Sequence, residues 1–183
     1  MLRTVSLALV VSLFGSAAVA GEWFLHPFGE LRAYHDDWLA VCDDDGRGAC
    51  RVVRAQADSG SGAFFDARLS LHRGDGGWWI EVMDRGMPEQ ALTALSFDFG
   101  AGRVVALAPG DWFLGELRYA NVAETVTVTD PAIVEDLIAR LQAGRVVLLR
   151  YAPVGAGAVE AFPLRGITAA MAAVETLREE RGQ

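Results

Sequence analysis

Hydrophobic and polar residues alternate most cleanly between Phe64 and His72, where Phe65, Ala67, Leu69 and Leu71 interleave with Asp66, Arg68, Ser70 and His72. A period of two predicts a strand with one face buried. Gly74-Asp75-Gly76-Gly77 then turns the chain into Trp78-Trp79-Ile80-Glu81-Val82-Met83, which predicts a hairpin. Upstream, residues 37–42 and 50–55 read as two strands flanking a polar, glycine-broken tip. Downstream, Leu95–Phe99 and Arg103–Leu107 flank Gly100-Ala101-Gly102, and Trp112–Tyr119 and Thr125–Thr129 are further strands. Asp58-Ser59-Gly60-Ser61-Gly62 reads as a loop.

The period changes at Asp130-Pro131, an N-cap followed by proline at the first helical position. Ile133, Leu137, Ile138 and Leu141 form an apolar stripe and Gly144 closes the helix. Residues 146–151 return to strand and pair with 159–164. Gly166 opens a last helix in which Ile167, Ala170, Met171, Val174 and Leu177 recur at helical spacing, and residues 179–183 read as a solvated, fraying end. Many short strands followed by two helical segments predict a mainly β fold, a β-sandwich-like or curved antiparallel sheet with one or two helices in the C-terminal third. No fixed-length repeat or low-complexity linker divides the chain, so residues 21–183 are expected to form a single β-rich domain.

Residues 1–20 have a different character. Arg3 precedes an apolar stretch from Val5 to Phe14, and Ala18-Val19-Ala20 is a small-x-small cleavage site. The run is shorter than the ~20 residues that cross a bilayer, and no stop-transfer pattern follows it. We expect a cleaved bacterial signal peptide and a product in the periplasm or outside the cell, with no transmembrane segment after cleavage. Taking twenty residues from 183 leaves 163, enough to bury a sizeable core.

Charge and composition narrow the chemistry. The net charge is −8, and losing Arg3 takes it to −9, so nucleic acid is not an expected partner. All sixteen basic residues are arginine, which excludes Schiff-base and lysine-base mechanisms. Two cysteines in an exported chain predict one disulfide, Cys42 to Cys50, stapling the end of one strand to the start of the next.

The Trp38-x-x-x-Cys42 strand, the second cysteine after a short polar insert and the segments LQAGRVVLLRY (141–151) and FPLRGITAAMAAV (162–174) together resemble the invasion-associated locus B family of exported bacterial proteins. The similarity spans most of the chain after residue 20, on short structural motifs. A second exported family, domain of unknown function 1176, shares the aspartate-tryptophan-x-x-x-cysteine start and the alanine-rich end. Members of the first family usually carry a second cysteine pair in mid-sequence, which this chain lacks. The resemblance implies a β-sandwich-like periplasmic domain without known catalysis, and it carries over no catalytic residue.

There is no G-x-S-x-G elbow, and Gly60-Ser61-Gly62 fits a turn better than a nucleophile. His26, His35 and His72 are widely spaced. His35-Asp36-Asp37, the best local ligand cluster, reads as an exposed strand approach rather than a zinc site. Asp43-Asp44-Asp45-Gly46 lacks the alternating ligands of a calcium loop. Glu81 and Asp84, three apart in a strand, point to opposite faces and form no glycosidase pair. Trp78 and Trp79 also face opposite sides, so one ring enters the core while the other covers surface or lines a groove. The sequence thus favours a non-enzymatic module that binds another envelope protein or a peptide, with Trp78 or Trp79 as anchor. It calls for no cofactor or metal and assigns no oligomeric state. The competing reading is a periplasmic hydrolase with an unrecognised site, which requires polar side chains, His35 and His72 among them, to converge in one cleft.

Overall fold

The structure is a computed structural model that describes residues 21–56, 67–84, 94–114, 124–151 and 159–182. The expected signal segment 1–20 and the loop around Ser61 lie outside the described residues, as does the part of the Trp112–Tyr119 strand beyond Leu114. The elements run β1 (Phe24–Leu25), β2 (Leu31–His35), β3 (Trp38–Cys42), α1 (Asp43–Gly46), β4 (Cys50–Ala55), β5 (Ala67–Gly74) and β6 (Gly77–Asp84). They continue as β7 (Leu95–Asp98), β8 (Val104–Leu107), β9 (Phe113–Leu114), β10 (Glu124–Val128), α2 (Pro131–Ala143), β11 (Val146–Arg150), β12 (Val159–Pro163) and α3 (Ile167–Arg181). The fold is mainly β, as the alternation predicted.

Among the described residues every strand pair is antiparallel. Eight strands form one sheet in the order β1-β2-β3-β4-β5-β6-β10-β9, and four form a second in the order β12-β11-β7-β8. One face of the large sheet carries Ala33, Trp38, Ala40, Val52, Leu69, Leu71, Ile80 and Val82, all fully buried. They share a single core with Phe97, Val147, Leu149 and Phe162 of the small sheet and with both long helices. Each fully buried valine, leucine or isoleucine side chain contributes about 1.5–3 kcal/mol of transfer free energy to this layer. Trp38 joins the sheets directly: its indole Nε1 donates to the Pro163 carbonyl at 3.0 Å.

The helices follow their sequence signals. Asp130 accepts hydrogen bonds from the backbone N–H groups of Ala132 and Ile133, and Pro131 occupies the first turn of α2. Val134, Leu137 and Leu141 of α2 are buried, and the helix packs on β6. The predicted stripe of α3 is buried against β2, β3 and β4. One boundary differs from expectation. Residues 179–181 remain helical, because Gly182 closes the helix in a left-handed conformation and its N–H reaches back to the carbonyls of Arg178 and Glu179.

The tip between the cysteines is more compact than a polar loop. Asp44, Asp45 and Gly46 are all left-handed. The tip folds back so that Asp45 N–H donates to Gly29 at 2.8 Å, and a Cβ on Gly46 would meet Leu31 at 2.7 Å. Cys42 and Cys50 are register partners joined by the disulfide, with Cα atoms 4.1 Å apart. Arg51 closes the tip from outside by donating to Asp43 and Glu30, each at 2.8 Å. Burial works against the charge on Glu30, but Arg32 and Arg51 prevail and hold its carboxyl below the usual range.

Candidate binding surface

Alternation along β6 decides the roles of the two tryptophans. Trp78 shares its face with Ile80 and Val82 and packs against the core. Its indole Nε1 donates to Glu175 Oε1 of α3 at 2.8 Å, and Arg73 Nε donates to the same oxygen at 2.9 Å. Trp78 is therefore occupied in seating α3 on the β5–β6 hairpin. Trp79 points to the opposite, outward face, where its ring lies flat on His72 at a centroid distance of 3.8 Å and an interplanar angle of 6°. The two residues are register partners on β6 and β5, which places their side chains side by side.

Two rows of paired residues cross this face, which is only partly open to solvent: Val41, Ser70 and Thr127 within them are buried. One reads Phe24, Arg32, Val41, Arg51, His72 and Trp79. The next reads Tyr34, Leu39, Val53, Ser70, Glu81 and Thr127. At the β1–β2 edge, Phe24 and Tyr34 stack with ring centroids 5.9 Å apart, and Tyr34 is 62% exposed. Beside Trp79, Arg68 donates to Glu81 Oε1 at 2.6 Å. His72 Nε2 stands 3.7 Å from the same oxygen, beyond direct hydrogen-bond distance. Partial burial favours the neutral acid, but His72 and Arg68 outweigh it and bring the Glu81 carboxyl down to about 2. The outcome is an ionised carboxylate beside a flat aromatic pair.

The remaining candidates are dispersed. Asp84 is 2% exposed on the core side, whereas Glu81 faces outward, so the two carboxylates do not converge. Tyr151 is fully buried, and burial together with the negative charge of Asp84 raises its hydroxyl far above the usual tyrosine range. His35 does not lie on an exposed strand approach. It is the last residue of β2, points inward with Leu31 and Ala33, and is 4% exposed. Burial keeps it neutral by lowering its pKa, a shift that Asp36 only partly opposes. His72 lies on the other face of the same sheet, so His35 and His72 share no cleft. His26, in the turn before β2, sits edge-on to Phe28. Among the described residues, no three histidine, cysteine or acidic side chains gather where a metal could be held.

Asp36 and Asp37 instead receive the start of α3. Arg165 pairs with both, at 3.6 and 3.5 Å, and Asp37 N–H donates to the Arg165 carbonyl. Sequence reasoning left the choice between Trp78 and Trp79 open, although the shared parity of Trp78, Ile80 and Val82 carried the answer. It missed the Arg68–Glu81–His72 set, whose members become neighbours only through the β5–β6 register.

No family model matches the chain, and no curated protein does. Among the described residues, no helix is long and apolar enough to cross a membrane. The fold is similar to that in the crystal structure of invasion associated protein b from Bartonella henselae, with a TM-score of 0.59 and 15% identity, covering 81% of this chain and 99% of that one.

Proposed function

We propose that the chain is an exported, non-enzymatic binding module of the invasion-associated locus B type. In this reading residues 1–20 are removed, residues 21–183 form one oxidised domain in the periplasm or outside the cell, and the outward face of the large sheet meets another envelope protein or a peptide. The observation that carries the reading is the position of Trp79: flat on His72, outside the core, and beside the ionised Glu81. A rigid aromatic pair next to fixed charge suits an interface anchor, because little side-chain entropy is lost on contact. The disulfide and the fold shared with invasion associated protein b support export. The separation of His35, His72, Glu81 and Asp84 onto opposite faces speaks against the hydrolase alternative.

Installing a photo-crosslinking aromatic amino acid at position 79 in the producing cell tests the reading. A discrete adduct is expected from position 79 and not from position 135, which is exposed on α2. Equal labelling from both positions, or none from position 79, overturns it. Export is tested separately: the recovered protein should begin near Gly21 and take up two alkyl groups only after reduction.

A further inference from the structure

Three arginines distant in sequence meet at one end of the molecule. Arg47 and Gly48 on the disulfide-bounded tip, Arg73 and Asp75 at the β5–β6 turn, and Arg178 of α3 line an open crevice of about 450 Å³. That volume is within the range of small-molecule sites. Arg178 is only 7% exposed, and the carboxylate it pairs with, Asp75, is 3.5 Å away and fully exposed to water. A guanidinium so deeply placed is stable when an oxyanion meets it closely, and a hydrated carboxylate at 3.5 Å does so weakly. Arg73 is held in position by Glu175 and by its bond to the Gly74 carbonyl. Gly48 precedes Cys50 by two residues, so the disulfide holds the wall that carries Arg47.

We propose that this crevice is an anion-binding site that takes the phosphate or carboxylate group of a small molecule through Arg178, assisted by Arg47 and Arg73. The planar guanidinium fork suits either oxyanion. The site lies on the core side of the hairpin, away from Trp79, and the proposal does not depend on the binding surface above.

Calorimetric titration of the oxidised protein with inorganic phosphate, and separately with succinate, tests the site at ionic strength matched by sodium chloride. Saturable binding of at least one oxyanion is expected, and the responding arm identifies the group. Arg47→Gln and Arg178→Gln should each weaken it by about tenfold or more, the effect of losing one charge-assisted contact. Arg140→Gln, on α2 outside the crevice, should leave it unchanged. Because Arg178 is buried, Arg47→Gln on the exposed tip decides the matter if Arg178→Gln does not fold. No saturable binding of either oxyanion, binding matched by chloride, or binding indifferent to Arg47→Gln overturns the proposal.

Discussion

At the scale of the residue, adjacent tryptophans take unlike roles because a strand alternates its faces. Trp78→Ala removes a ring packed on the core and the hydrogen bond to Glu175, and should cost about 2–3 kcal/mol. Trp79→Ala removes a half-exposed stack and should cost about 1 kcal/mol. Urea midpoints of the two variants check this, and the reverse order would contradict the assignment of faces. Two titrating residues give separate signatures. His35 has a folded pKa below its unfolded value, so its contribution to stability is present above about pH 6.5 and is lost as pH falls below that value. Glu81 is depressed from 4.5 to about 2, so its contribution is present above pH 4.5 and is lost between 4.5 and 2. Stability measured from pH 7 to 2 should lose the upper component in His35→Gln, whereas Glu81→Gln should diminish the lower one and leave the share that Glu30 contributes. A variant with an unchanged profile would rule out the corresponding group.

At the scale of the element, the start of α3 is built around a close approach. Gly166 has φ +95°, and a Cβ there would lie 1.9 Å from the His35 carbonyl oxygen. Gly166→Ala therefore combines left-handed strain with a collision against backbone, and should destabilise by about 3 kcal/mol or more. Thermal unfolding measures the loss, and a near-neutral variant would mean that α3 does not dock as described. Legibility in the sequence followed the strength of each local signal. Strand β4 and the cap, stripe and stop of α2 were readable from Cys50–Ala55 and from Asp130, Pro131, Leu137, Leu141 and Gly144. Strand β2 was not, although Leu31, Ala33 and His35 alternate with Arg32 and Tyr34, because its inward set is a leucine, a small residue and a titratable one rather than β-branched residues. The docking role of Asp36 and Asp37 was hidden because their partner, Arg165, lies some 130 positions along the chain. The stacked face beside Trp79 and the arginine crevice likewise depend on register and on α3 reaching the β5–β6 turn.

At the scale of the molecule, the eight-stranded sheet, the four-stranded sheet and both long helices share one core rather than two. Such an arrangement has no internal boundary along which one layer could melt first, so unfolding should be a single cooperative transition. Trp38 tests this most directly. It belongs to β3 of the large sheet, is fully buried, and donates its only polar hydrogen to Pro163, the last residue of β12 in the small sheet. Trp38→Phe keeps an aromatic ring in the layer but removes the donor, leaving the Pro163 carbonyl without that bond. The expected loss is about 1–3 kcal/mol, the usual cost of orphaning a buried acceptor. If the layers form one unit, the loss is felt by the whole fold. Far-ultraviolet circular dichroism and the fluorescence of the remaining tryptophans should then shift to the same lower midpoint in denaturant. Were the small sheet an independent layer, Trp38→Phe would split the two curves, with one signal moving and the other staying in place.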